Sequence, residues 1–504
     1  MRFATVTARP RLRLARCFFA SVGLLWACEA APTARRDPEP EPEMELIDPA
    51  AEPLAPELAT QVATHLADYG RHWPAFRFHG SVIVARGDEV GVDQAFGFAD
   101  LVEGVPNESD TMFRIGTLSA QLTAAAVLRL AAADRLRLDD PVSRYLPYWP
   151  NGERITLEHL LSHRSGIPNY TDMQSFEAWK RQEHTLQTAA SWFRNLPLEF
   201  DPGTDTSPSN SNYMLLGLVL ESITGQPHHE VVAEQVLEPL GMHRTQFADT
   251  EHAQAVGMEY HEDERLVLVA DVEPSAFGSA GGWLSTTGDL LRWVRGLNDE
   301  QFLPSSLVER MQGRGSEGFG YAWTDSEIAG RDALTWPGLI DGFNASLVHV
   351  PSDDTTIIVL SNSEVLPTGQ LVGEIASLIY EGELPKRVEA RAVPVEMEEQ
   401  RRAKGRYVLT RGTEQALEGA DPEAMVQLAE IRVVEQEGVM VLDIPIHGRK
   451  RMHPAGAGRF FFKDGGQSTA QFIERGEKAA LLVLEANGSE LRYVRIAEDG
   501  VAGA

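Results

Sequence analysis

MFRIGTLSAQLTAAAVLRL, residues 112–130, is the stretch whose reading decides the fold. Ala124, Ala125, Ala126, Val127, Leu128 and Leu130 make it apolar nearly all round, and Gly116-Thr117 marks a strained entry behind Phe113 and Ile115. A helix without a polar face belongs inside a large domain, so the pattern predicts a buried helix from Met112 to Leu130. Upstream, a helical pattern runs from Leu58 to Gly70. From Ser81 the chain alternates with period two, and Gly87-Asp88 predicts a hairpin turn between two strands.

Phe113-Arg114-Ile115-Gly116 and the Gln121-Leu122-Thr123-Ala124 that follows resemble the opening of the catalytic helix in the serine β-lactamase and penicillin-binding-protein superfamily, especially its class C and esterase-like branch. The resemblance implies an α+β fold: an antiparallel sheet flanked by helices, with a helical subdomain. In that family a Ser-x-x-Lys stands here, and a Lys one turn past a Ser shares its helix face and can take its proton. This chain has Thr117 in the nucleophile position and Ala120 in the base position. Ala120 accepts no proton, and an unactivated alcohol such as Thr117 is a weak nucleophile at neutral pH.

The same replacement recurs at the other two motifs. Pro202-Gly203-Thr204 and the Asn212-to-Gly217 run match the family's approach to its Tyr-x-Asn, which puts Pro208 on the Tyr and Asn210 on the Asn. Pro208 offers neither a polar side chain nor a backbone donor; Asn210 is left either to orient a ligand amide or to satisfy loop backbone. The family's Lys-Thr-Gly or His-x-Gly strand falls, by the anchor Asp341-Gly342-Phe343, on Trp336-Pro337-Gly338. Trp336 is no acid or base and is expected to plug the cleft or stack on something apolar. Pro337 removes a donor from the strand. The backbone amides of Thr117 and Leu339 correspond to the oxyanion hole. Scaffold segments match as well: Ile155 to Tyr170, Leu237 to Met242, Gly281 to Thr286, and Gly318-Phe319-Gly320-Tyr321 as a strand leading to the cleft edge.

The machinery has not moved elsewhere in the sequence. None of the six lysines, Lys180, Lys386, Lys404, Lys450, Lys463 and Lys478, has a Ser three residues before it, and no Gly-x-Ser-x-Gly elbow occurs. Ser119 is a nearby hydroxyl whose own third-following residue is Leu122. His159 and His163 have the four-residue spacing of paired metal ligands on one helix face, but no Glu lies between them, and His228-His229-Glu230 is no better a site. No metal or cofactor is implied.

Beyond Pro385 the pattern becomes short alternating strands from Arg401 to Ile496, with turns at Gly438, Asp464-Gly465-Gly466 and Asn487-Gly488. This predicts a small antiparallel β-barrel over residues 386–504, and it resembles the lipocalin-like domain appended to many such serine hydrolases. The β-lactamase-like domain is placed at 58–385.

The remaining N-terminal residues read as export signals. Arg2, Arg9, Arg11, Arg13 and Arg16 precede the apolar Cys17–Ala27, so residues 1–27 are expected to be a signal peptide. Leu25-Trp26-Ala27-Cys28 resembles a bacterial lipobox; lipidation of Cys28 would anchor the chain to a membrane as an envelope lipoprotein, the alternative being plain secretion. Residues 28–57, rich in Pro and Glu, are expected to be an extended tether. With 45 Lys and Arg against 74 Asp and Glu, the formal charge of −29 excludes a phosphate-neutralising nucleic-acid surface.

These features lead to an expected pseudoenzyme whose cleft or barrel holds a peptide or cell-wall-like ligand. The rival readings are a working esterase or peptidase that uses Thr117 with a non-standard base, and a structural protein that assembles through its barrel.

Overall fold

The computed structural model describes residues 53–69, 77–247, 255–260, 266–269, 272–313, 319–364, 367–384, 395–410 and, with short gaps, 430–496. Cys28, the signal segment and the tether up to residue 52 lie outside the described residues, as do Gly318, Asp464-Gly465-Gly466 and Asn487-Gly488. No helix among the described residues is long and apolar enough to cross a membrane.

Helix α1, Leu58–Tyr69, leads into strands β1 (Gly80–Arg86) and β2 (Glu89–Phe96). The hairpin closes at Gly87-Asp88 as the sequence indicates, with Gly87 at φ 54. Leu54 is buried against the core that α1 joins, whereas Pro53 and Ala55, Pro56 and Glu57 around it are exposed. The interior helices are α2 (Ser119–Ala132) and α3 (Asn210–Thr224). Strands β3 (Thr324–Ile328), β4 (Arg331–Ile340), β5 (Phe343–Val350) and β6 (Thr355–Ser361) follow, then α4 (Thr368–Tyr380).

These six strands form one antiparallel sheet in the order β3-β4-β5-β6-β1-β2. Its central strands are buried on both faces, and their alternation divides two cores. Ile83, Ala85, Leu347, Ile358 and Leu360 face the helices that include α2 and α3. Val82, Val84, Val348, Ile357 and Val359 face α1 and α4 through Leu58, Val62, Leu371 and Ile375. This is why SVIVA reads as an unbroken apolar run: both faces of that strand are covered.

The decisive stretch is not one helix. Phe113–Arg114 is a two-residue strand against Leu284 and Ser285, and Gly116–Leu118 is a 3₁₀ turn. The α-helix begins only at Ser119. Gly116 has φ 49, which reverses the chain and sets Thr117 on the turn rather than inside the α-helix. Nor is α2 wholly apolar: Ser119, Gln121 and Thr123 are buried with their polar atoms engaged. Gln121 donates to the Ala322 carbonyl at 2.9 Å and accepts from the Trp293 indole at 2.8 Å, so it joins α2 to two other segments.

The C-terminal strands are β7 (Gly405–Leu409), β8 (Glu430–Gln436), β9 (Val439–Ile444), β10 (Gly448–Arg451), β11 (His453–Gly456), β12 (Arg459–Phe461), β13 (Thr469–Arg475), β14 (Lys478–Ala486) and β15 (Ser489–Ile496). Each pairs with its chain neighbour, and β7 also pairs with β15. β10 pairs with β9 and β11 with β12, and only Met452 separates β10 from β11. One bent strand thus carries the sheet almost back onto itself as a nearly closed antiparallel barrel, filled by residues including Tyr407, Met440, Phe460, Phe472, Leu482 and Tyr493. The turn at Gly438 has φ 80.

Truncating Gln121 would strand two buried partners, and each unsatisfied buried group costs about 1–3 kcal/mol. Gln121→Ala is therefore expected to lower unfolding stability by about 3 kcal/mol, read from urea titrations of wild type and variant at neutral pH.

Candidate active-site cleft

Two glycines set the geometry. A Cβ on Gly116 would lie 2.4 Å from the Leu339 carbonyl oxygen, and one on Gly338 would lie 2.2 Å from that of Ile115. The 3₁₀ turn and β4 therefore run backbone against backbone. β3 pairs with β4 only as far as Thr335, so the Trp336–Ile340 half of that edge faces the turn instead of a strand.

The register explains how Pro337 is tolerated. β4 and β5 are joined by the two-residue loop Asp341-Gly342, so the backbone groups of Trp336, Gly338 and Ile340 point to β5 while those of Pro337 and Leu339 point to the open edge. The donor that proline lacks is on the free side, and the ladder to β5 is intact. This refines the expected weakening of the strand.

Thr117 is half-buried, and its hydroxyl donates to the Pro337 carbonyl at 2.8 Å. The Trp336 indole N–H donates to the Thr117 carbonyl at 3.1 Å. Nucleophile position and third motif are thus brought together, but through backbone carbonyls. Among the described residues no side chain accepts the Thr117 proton. Ala120 is buried in the α2 core. Ser119 is fully buried and accepts from the Trp283 backbone N–H, so it is no substitute nucleophile.

Pro208 and Ser209 lead into α3, and Asn210 is its first residue. The Asn210 backbone N–H donates to the Asn169 side chain at 3.0 Å and its amide to the Thr171 hydroxyl at 3.2 Å. Its amide thus has a partner in the neighbouring loop.

His163 is the residue whose place the sequence did not reveal. The helix Leu157–Leu161 ends before it and His163 has φ 58, so His159 and His163 do not share a helix face. His159 instead closes a reciprocal cap with Thr156, and among the described residues no three His, Cys, Asp or Glu cluster as metal ligands. Nδ1 of His163 accepts from the Ser209 backbone at 3.1 Å and lies 3.3 Å from the Asn212 amide nitrogen. Trp336 lies nearly parallel to its ring, 8° apart with centroids at 6.0 Å, and Phe319 packs edge-on to both. Trp336 thus stacks on an imidazole and not on the apolar group expected. Phe319-Gly320-Tyr321 lies in a loop before β3 rather than in a strand. Burial lowers the His163 pKa to about 4, so the imidazole is neutral and its occupied Nδ1 is no base for Thr117.

At the far end of β4, Lys180 is 5% exposed and pairs with Asp341 at 2.5 Å and Glu177 at 2.8 Å. Burial opposes its charge, but the hydrogen bonds to Asp341 and Glu177 outweigh that and hold its pKa above the ordinary value. Glu364 accepts from the Gly342 N–H; its own pKa is raised, first by burial. Nothing in the sequence pairs Lys180 with Asp341, because the contact joins segments 161 residues apart.

The family model described as Beta-lactamase matches residues 77–377. The chain belongs to the beta-lactamase family. This family member is 26% identical over 315 residues to the putative penicillin-binding protein PbpX of Bacillus subtilis, a match covering 60% of this chain and 75% of that protein. In structure it is similar to the octameric penicillin-binding protein homologue from Pyrococcus abyssi, with TM-score 0.59 and 22% identity over 86% of this chain and 99% of that one. It is also similar to the D-amino acid amidase of Ochrobactrum anthropi SV3, solved with D-phenylalanine, with TM-score 0.56 and 20% identity over 64% of this chain and all of that one. At those identities the structural matches establish the fold of this beta-lactamase-family chain, not its chemistry.

The His163 environment has a pH signature. An unfolded histidine titrates near 6.5 and the folded one near 4, so between these values the unfolded state binds the extra proton. This contribution to stability is complete above about pH 6.5 and declines as pH falls toward 4, by about 3 kcal/mol in all. Urea unfolding across that interval is expected to show this slope in the wild type and its loss in His163→Phe.

Proposed function

We propose that this beta-lactamase-family protein is a binding module that holds peptide or cell-wall-like ligands in the former catalytic cleft without hydrolysing them. The observation that carries the reading is the fate of the Thr117 proton: the hydroxyl donates to a backbone carbonyl, and among the described residues no side chain is placed to remove that proton. A positioned general base is worth about 10²- to 10⁴-fold in rate, and members of a catalytic unit fail together rather than additively. Ala120, Pro208 and Trp336 remove base, phenol and cationic or imidazole group at once.

Ligand retention is supported by what remains. Beyond Thr335 no described strand covers the outer side of β4, and the Leu339 backbone points there beside the Gly116 turn, the position that the family resemblance gives to an oxyanion-hole donor. Because the structural relative from Ochrobactrum anthropi was solved with D-phenylalanine, D-amino acid derivatives are the first ligands to test. The basic and apolar N-terminal segment and Cys28 support attachment to a bacterial envelope through a lipid, with the Pro- and Glu-rich stretch as spacer.

Incubation of the purified protein with fluorescent penicillin and with a fluorophosphonate is expected to leave no covalent adduct, in wild type and Thr117→Ala alike. Adduct on Thr117, or p-nitrophenyl ester turnover that vanishes in Thr117→Val, would establish a working hydrolase and end this reading. For the anchor, the full chain expressed in bacteria with an alkyne-bearing palmitate is expected to take up label and sediment with membranes. Cys28→Ser is expected to do neither; equal labelling of both forms would remove Cys28 as the anchor.

A further inference from the structure

Two surface patches far from the cleft motifs in sequence are apolar at the centre and opposite in charge around it. Of the nine exposed large apolar side chains among the described residues, five lie in them: Leu101, Val102 and Val105 in one, Ile473 and Val494 in the other.

The first patch is the tip of the small hairpin formed by Phe98–Asp100 and Val105–Pro106. One carboxylate oxygen of Asp100 accepts from the backbone N–H groups of Val102 and Glu103, at 2.8 and 2.9 Å, and Gly104 takes φ 69. The tip is therefore held in one shape, with Val102 70% exposed at its end. Its charges are acidic: Asp100 and Glu103 in the tip and Glu108 two residues past Pro106, while Asp110 is already paired with Arg244.

The second patch is a cross-strand row on the outside of the barrel. Tyr407, Tyr493, Leu482 and Phe472 belong to the barrel core, so their neighbours Val408, Val494, Leu481 and Ile473 point outward. The register sets these four side by side: Ile473 opposite Leu481, Leu481 opposite Val494, and Val494 opposite Val408. Strands about 4.8 Å apart make this an apolar row about 14 Å long. Ile473 and Val494 within it are 49% and 46% exposed. Arginines flank it in the adjacent outward rows, Arg459 and Arg492 on one side, Arg406 and Arg432 on the other. Two acids offset part of that charge: Glu430 pairs with Arg406 at 2.7 Å, and Asp443 stands opposite Arg432.

The same contrast runs through the whole chain. Residues 58–385 carry 20 Lys and Arg against 46 Asp and Glu, whereas residues 386–504 carry 18 against 19. Both patches are exposed within the chain, so neither covers the other.

We propose that the Leu101–Val105 tip of one copy docks on the Ile473, Leu481, Val494 and Val408 row of a second copy, with Asp100, Glu103 and Glu108 facing the flanking arginines. Apolar burial supplies the attraction, and the opposed charges set the register. Because the contact joins two different patches, neither patch pairs with its own copy in a second molecule. The inference is independent of what the cleft binds.

The test is sedimentation velocity of the full chain carrying Cys17→Ser and Cys28→Ser, so that no lipid is attached. A mass that rises above that of one chain with protein concentration is expected. Val102→Asp and Val494→Asp, at positions that make little contact in the single chain, are each expected to weaken association about ten-fold or more with the melting temperature unchanged. In the same background, protein with Val102→Cys mixed with protein with Val494→Cys is expected to form the mixed disulfide in preference to either homodimer. One mass at all concentrations, or association unchanged in either Asp variant, overturns the proposal. If Val494→Asp instead abolishes sedimentation with phosphatidylglycerol vesicles while neither variant alters the mass, the row faces lipid and the proposal falls as well.

Discussion

The approach of Ile115-Gly116 to Gly338-Leu339 is the constraint on which the cleft depends. Two backbones pass so closely that a methyl group on either glycine would land within 2.4 Å of a carbonyl oxygen on the other side. That contact ties the 3₁₀ turn, and with it α2, to the open edge of the six-stranded sheet. Everything else in the cleft follows from it: the Thr117 hydroxyl is delivered to the Pro337 carbonyl, and the Trp336 indole to the Thr117 carbonyl. In both bonds a side chain donates and a backbone carbonyl accepts, so the close backbone approach supplies the acceptors and Thr117 and Trp336 the donors.

Much of the scaffold is legible in the sequence because it rests on short-range rules. The Gly87-Asp88 hairpin, the apolar central strand and the alternating strands of the barrel are set by glycine's conformational freedom and by which faces are covered. The family motifs, read residue by residue, place Thr117, Ala120, Pro208 and Trp336 without any structure. What the sequence hides is long-range. The break of Met112–Leu130 into strand, turn and helix depends on pairing with Leu284 and Ser285, far along the chain. The partners of Ser119, Gln121 and Thr123 come from distant loops. His163 reads as a possible metal ligand by spacing alone, because its left-handed backbone and its packing on Trp336 are tertiary facts.

The barrel gives a second instance. GRKR at Gly448–Arg451 and HPAG at His453–Gly456 lack the apolar alternation that identifies the other strands. They pair nonetheless, as the bent segment on which the sheet turns back toward its own start, where a proline is tolerated. A strand's position at a corner outweighs its composition there, since each half meets a different neighbour.

The Pro337 register has a consequence for how such a cleft changes over evolutionary time. Since that residue's amide would project into the groove and not into the ladder, replacing it leaves the sheet's cohesion untouched. An acylating centre must keep an ammonium and an acidic phenol desolvated near one another, a standing electrostatic burden. Alanine, proline and an indole carry none. Under the proposed binding role, these three positions leave the cleft without that burden.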